Sequence, residues 1–166
     1  MPSAPSAPTT SLTPTDWLVL TWVLSAGAAI IHLVVVPVHF RDTTASGVFF
    51  VVAAVAQAAT AFALRRSAPR RLLIGVLLLN LTLIVVWGWS RATGLPIGPT
   101  RGQREPAGLA DVVATMYELV IVWATFRLLV ARAPASPRIA LTSPTARIIC
   151  SMSVWTTAGA VYAAPH

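Results

Sequence analysis

The 166-residue sequence has no lysine, one cysteine and five acidic residues. Charged residues of either sign make up 10% of it, against about 25% in an ordinary soluble domain. So few charges cannot furnish a water-facing surface, which excludes a soluble globular domain. Cys150 has no partner within the chain, which excludes a disulfide scaffold. It reads as a small apolar filler, because Arg147 is the only cation near it in sequence. There is no G-x-x-x-x-G-K-[ST] or G-x-G-x-x-G phosphate loop, no H-E-x-x-H and no cysteine pair. Residues 1–15, MPSAPSAPTTSLTPT, carry no charge and are not the basic start of a secretory signal. Their Pro, Ser and Thr content predicts a disordered tail, with Asp16 capping the first helix after it.

What the chain does have is apolar length. Hydrophobic residues make up 56% of it and its mean hydropathy is +0.75. Four runs stand out, at 17–40, 47–64, 72–89 and 109–131. At ~1.5 Å per residue the first reaches roughly 36 Å, enough to span a bilayer with some tilt. A fifth run, 148–164, is shorter and contains Ser and Thr, at the lower edge of spanning length. The expected fold is an all-α membrane protein, an antiparallel bundle of four to five transmembrane helices. Its four-span part covers 16–132, followed by a basic loop at 133–147. Alanine and glycine concentrate in the first two spans (Ala26 to Ala29, then Ala53, Ala54, Ala56, Ala58 and Ala59), where small residues allow close helix approach.

The net charge of +7 comes from twelve arginines against the five acids. These arginines cluster in short loops between apolar runs, the pattern of membrane-protein loops rather than of nucleic-acid binding. The loops at 65–71 and 132–147 hold seven of them: Arg65, Arg66, Arg70, Arg71, Arg132, Arg138 and Arg147. The opposite loops hold four: Arg41, Arg91, Arg101 and Arg104. The richer side is expected to be cytoplasmic, with the N-terminus on it, in a bacterial inner membrane. The bilayer is the expected partner, together with a second copy or a larger membrane complex; no nucleic acid is expected.

Ionisable groups inside spans are costly and call for an explanation. His32 and His39 lie on the first span, Asp111 and Glu118 on the fourth. Arg127 sits near the end of the fourth span and can snorkel to the interface. Each pair is seven residues apart, nearly two turns, so each shares one helix face about 10.5 Å apart along the axis. Pro37 lies between the histidines and should kink the helix. The end of span one and the start of span four face the same side of the membrane. His39 and Asp111 should therefore meet near the boundary, and His32 and Glu118 two turns deeper. Thr115 shares the acidic face, and Tyr117, Gln57 and Asn80 are further polar groups at depth.

Three readings of this ladder are open. It can be a metal site, because His and carboxylate suit copper, zinc, iron or manganese. It can be a proton path in a transporter or redox protein. It can be interhelical hydrogen bonding alone. A haem fits less well: both internal histidines share one helix, so bis-histidine ligation would need His166 or a second subunit, while single-histidine ligation stays open. The loop 90–108, SRATGLPIGPTRGQREPAG, is long for a compact bundle and sits over the His39–Asp111 mouth. In one reading Arg91 and Glu105 add charge to the site and help hold a cofactor; in the other they are solvated, with Arg91 on lipid headgroups. Trp17, Trp87 and Trp89 fall at span ends, where aromatic belts are expected.

The segments HLVVVPVHF (32–40), SRATGLPIGP (90–99) and EPAGLADVVATMYEL (105–119) together resemble small multi-spanning membrane proteins of high-GC Gram-positive bacteria, a family with no known activity. The resemblance covers about 15–132. It implies a membrane bundle and no particular chemistry.

Overall fold

The computed structural model describes residues 12–96, 101–131 and 144–164. Among them are five helices and no strand: α1 (Pro14–Asp42), α2 (Thr44–Arg66), α3 (Arg70–Ala92), α4 (Leu109–Val130) and α5 (Pro144–Tyr162). The protein is an all-α helical bundle, and α1 to α4 are each long and apolar enough to cross a membrane. α5 falls outside that set; Arg147 and its Ser and Thr residues dilute its apolar content. Of the tail, residues 1–11 lie outside the described residues, as do Arg132, Arg138 and His166.

The start of α1 differs from expectation in detail. Thr13, not Asp16, is the N-cap: its hydroxyl accepts from the Asp16 N–H. Asp16 returns the favour by accepting from the Thr13 N–H at 3.0 Å, closing a capping box. Pro14, in the first turn, needs no backbone donor there, so the Thr-Pro pair starts the helix two residues before the acid. The helix continues through Pro37 to Asp42. A single residue, Thr43, ends α1 and caps α2, its hydroxyl accepting from the Ser46 N–H at 3.0 Å. Three residues, 67–69, join α2 to α3.

α1 is the most buried helix and the hub. It packs against α2, α4 and α5, while α3 packs chiefly on α4 and touches α2 only slightly. Its interior face is small and polar as well as apolar: Thr21, Ser25, Gly27 and Ala28 are all buried. Thr21 and Ser25 satisfy their hydroxyls on the carbonyls of Trp17 and Thr21, one turn back, so neither needs a cross-helix partner. On α2, Ala53, Ala54 and Ala61 are buried, whereas Ala58 and Ala59 face outward. Close packing therefore uses one stripe of that alanine-rich helix, not its whole circumference.

Three polar ties sit near the helix midpoints. His32 on α1 meets Glu118 on α4. The Gln57 amide on α2 donates to the Asn80 side-chain oxygen on α3 at 3.2 Å. The Tyr117 hydroxyl on α4 donates to the Ser153 carbonyl on α5 at 3.1 Å, and its oxygen also lies close to the Thr156 and Thr157 hydroxyls. Lipid offers no alternative partner at that depth, so each tie fixes the rotation and level of two helices.

At the end holding the start of α1 and the end of α4, arginines rest on aromatic rings. The guanidinium of Arg65 lies 5.3 Å from the Trp22 ring centre, and that of Arg66 lies 3.6 Å from Phe62. Arg127 lies 5.8 Å from Trp17 and 6.0 Å from Trp123. These stacked cations combine a charge at the interface with an apolar stem, as snorkelling requires.

Gly27 marks the tightest junction of three helices. A Cβ added there would lie 2.7 Å from the Tyr117 ring and 2.8 Å from the Thr157 hydroxyl. The Tyr117 ring cannot retreat without leaving its hydrogen bonds to α5. Gly27→Val is expected to lower stability by about 1–3 kcal/mol through overpacking. Gly75→Ala, with nothing within 4 Å of the new Cβ, is expected to stay within about 0.5 kcal/mol of wild type. Melting of both variants in detergent micelles checks the contrast; equal melting points would refute the three-helix junction.

Candidate functional site

The four spanning helices enclose a cavity of about 370 Å³ toward the end where α1 stops and α4 begins. His32 and Glu118 lie deepest along their helices. They are 6% and 2% exposed, and His32 Nε2 faces Glu118 Oε1 at 3.1 Å. Among the described residues neither side chain makes a second hydrogen bond, the His32 ring lies 5.6 Å from that of Phe50, and His32 Nδ1 is buried with no hydrogen bond. Glu118 has 9 residues of α4 before it and 12 after it, and His32 has 18 residues of α1 before it and 10 after it, so apolar helix flanks the pair on both sides and the cavity reaches it from the rim.

Two turns nearer the boundary the expected His39–Asp111 pair is replaced. Asp111 Oδ2 accepts from Arg91 Nη2 at 2.8 Å and from the Gly108 N–H at 3.1 Å, where it also holds the first turn of α4. Arg91 Nη1 donates to Glu105 at 2.6 Å and to the Ser90 hydroxyl at 2.8 Å. One guanidinium thus joins the end of α3, the start of α4 and the intervening loop. A guanidinium is permanently charged and presents several donors in a fork, so it wins a carboxylate over a neutral imidazole. His39 turns instead to its own helix. Its Nδ1 lies 3.6 Å from Asp42, and its ring stacks on Phe50 of α2 at 3.8 Å with 6° between the planes.

The loop reaches Arg91 by folding back. The Gly102 N–H donates to the Leu95 carbonyl, and the Glu105 N–H donates to the Ser90 carbonyl. Gly94, at φ +77°, makes the return, because a side chain there would meet the Gln103 backbone as well as an unfavourable φ. Arg91 and Glu105 therefore belong to the rim, while Arg101 and Arg104 are exposed on the loop.

No family model, no curated protein and no solved structure matches the chain.

Of the four residues expected to ligate a metal, the structure brings together His32 and Glu118 and draws His39 and Asp111 to other partners. Among the described residues no three His, Cys, Asp or Glu side chains are grouped so as to hold a metal ion. Two donors from the pair do not make a closed ligand set. All four residues nevertheless line the same cavity, together with Arg91 and Glu105.

The pattern of ionisable groups could not reveal the aromatic lining. Phe49 and Phe50 of α2 and Trp87 of α3 face the cavity. Trp87 also lies 5.7 Å from the Arg91 guanidinium, so its place at a span end serves the rim of the site rather than a lipid belt alone. The FF pair within an unbroken apolar run carries no periodic signal that would single it out.

Removal of the Arg91 head group leaves Glu105 and Asp111 facing each other without a cation. Arg91→Ala is expected to lower stability by about 1–3 kcal/mol, and Arg91→Lys to recover only part of it, since a single ammonium cannot reproduce the fork. Thermal unfolding in micelles measures both. Full recovery by lysine would show that charge alone, not the two-armed geometry, closes the rim.

Proposed function

We propose that this protein is a multi-pass membrane protein that binds a small ligand within its bundle, with the His32–Glu118 pair exchanging a proton as the occupant changes. The reading places it among proton-coupled transporters or their subunits. The observation that carries it is a buried imidazole–carboxylate pair at membrane depth, reached from a cavity and, among the described residues, hydrogen-bonded only within itself. A pair serving only to join helices needs no cavity beside it. An intramembrane ionisable pair next to open volume is the usual sign of a proton or solute site.

The groups that bear on this pair are few. Asp111 of α4, Arg91 of α3, Glu105 of the following loop and His39 of α1 line the same cavity, and α2 contributes Ser46 and Phe50 but no titratable group to it. Protons passing between the rim and Glu118 would move among these groups. The metal reading is the weaker one, because His39 and Asp111 are engaged elsewhere.

Orientation follows from charge. The end bearing Arg65, Arg66, Arg70, Arg71 and Arg127 has Asp16 as its acid, whereas the cavity end carries Asp42, Glu105 and Asp111 beside its arginines. The arginine-rich end is cytoplasmic by the positive-inside rule, and the cavity opens to the far side. In a Cys150→Ser background, Arg101→Cys is expected to react with an impermeant maleimide added outside intact cells. Reaction only after the membrane is opened would reverse the orientation and leave the site geometry untouched.

Proton exchange at Glu118 is read directly by infrared spectroscopy of the purified protein across a pH titration. A carboxylic C=O band that appears as pH falls and is missing in Glu118→Gln is the expected result. His32→Ala is expected to move the pH at which that band appears, because the imidazole is the group in contact with the carboxylate. A titration identical in wild type and Glu118→Gln would remove the proton-exchange reading and leave the pair as a helix tie.

A further inference from the structure

Charge is distributed unevenly between the protein and its cavity. The chain as a whole is strongly cationic, with twelve arginines and five acids. The cavity lining reverses that balance. It takes three of the five acids (Glu105, Asp111 and Glu118) and one arginine, Arg91. Arg91 places its two terminal nitrogens on Glu105 and Asp111, while its Nε and the Trp87 Nε1 are buried without a hydrogen-bond partner among the described residues. With both histidines neutral, the lining has two more negative than positive charges. An anionic ligand would meet a single guanidinium whose charge two carboxylates already offset. With a neutral ligand the excess negative charge would have to be met by a proton on the His32–Glu118 pair, whereas a cation meets it directly.

The remaining walls are apolar and aromatic. Phe50, with one face stacked on His39, and Trp87, with the Arg91 guanidinium beside it, line the volume next to the acids, and Trp89 stands at its exposed edge. Aromatic faces attract cations through their quadrupole, most strongly when water is excluded. At the floor, His32 is more than nine-tenths buried and its Nδ1 has no partner, so the polar capacity of the site is not filled by the protein itself. Hard metal ions need clustered oxygen and nitrogen donors, and an apolar wall offers none.

We propose that the cavity binds an organic cation, an ammonium group carried on an apolar or aromatic body, and that the cation and a proton on the His32–Glu118 pair compete for the same negative charge. This deepens the proton-exchange reading and rests on it. Either species neutralises the site, so the arrival of the cation expels a proton and protonation expels the cation. The groups that set the competition are Glu118 and Asp111 from α4, Glu105 and Arg91 at the rim and His32 and His39 from α1.

The test uses the full chain in detergent micelles, with protein-free micelles as blank, and follows tryptophan fluorescence and heat on titration with benzyltrimethylammonium. This probe has no proton to lose, so any pH dependence belongs to the protein. Its uncharged isostere, neopentylbenzene, has the same shape. Benzenesulfonate and zinc chloride complete the set. The expected result is saturable binding of benzyltrimethylammonium that weakens as pH falls. The isostere is expected to bind about tenfold or more weakly, and Glu118→Gln to reduce affinity for the cation by a similar factor. Phe50→Leu, which keeps apolar bulk and removes the ring face, is expected to weaken the cation more than the isostere.

Equal or tighter binding of neopentylbenzene, a preference for benzenesulfonate or zinc, or no saturable binding of the cation would each overturn the proposal. The comparison within wild type needs no variant to fold. A titrating Glu118 band without cation selectivity would leave the proton-exchange reading standing and remove only the ligand class. Loss of both would remove the two together.

Discussion

A single carboxylate–imidazole contact, Glu118 with His32, sets the register of the two most informative helices. In lipid neither group has water to fall back on, so sliding or rotating α4 against α1 would leave two buried polar groups unmet. Once Glu118 is fixed, its neighbours on α4 are fixed too. Tyr117, one residue earlier, points about a quarter-turn away and delivers its hydroxyl to α5. Asp111, two turns earlier on the same face, arrives at the rim beside Arg91. One helix thus distributes three polar contacts to α1, α5 and α3, and one of them dictates where the others can be made.

The two ends of the bundle solve different problems. At the α1 start and α4 end Arg65, Arg66 and Arg127 lie against aromatic rings, which suits side chains that must reach headgroups while covering apolar surface. At the other end the cation that matters is matched by two carboxylates, and the loop between α3 and α4 is fastened by the same guanidinium. That loop is then a structural part of the cavity mouth, because Glu105 reaches Arg91 only while the chain turns back at Gly94. Between the ends, Gln57 and Asn80 hold α2 to α3 near their midpoints, and the cavity lies on the rim side of that tie.

Much of the architecture was legible because lipid imposes simple rules. Spanning length and loop charge are nearly independent of tertiary packing, so four helices could be read from apolar runs alone. The His32–Glu118 meeting was legible for the same reason: antiparallel helices of similar length bring residues of equal depth to the same level. The His39–Asp111 meeting failed where that rule weakens. At the rim, water, loops and helix termini supply competing partners, and Arg91 outbids a neutral imidazole for a carboxylate. Depth matching predicts partners in the middle of a membrane far better than at its edge. Thr13 displaced Asp16 as the cap for a related reason, since an acid three residues inside a helix can serve the cap without being it. The aromatic lining was illegible because Phe and Trp in an apolar run look the same whether they face lipid or a cavity.

The charge of the cavity and the charge of the protein have to be considered together. A strongly basic chain that gathers most of its acids around one internal volume has concentrated negative potential where it is least screened. If those acids served only to join helices, each would be matched by its own cation, and eleven arginines besides Arg91 are present in the chain to do so. Instead one arginine is shared between two carboxylates and the deepest acid is given a histidine, the side chain whose charge is easiest to change near neutral pH. Matching Glu118 with arginine would have fixed its charge permanently. Matching it with histidine leaves the net charge of the floor adjustable by one proton, which is what a site must have if its occupant and a proton are to exclude each other.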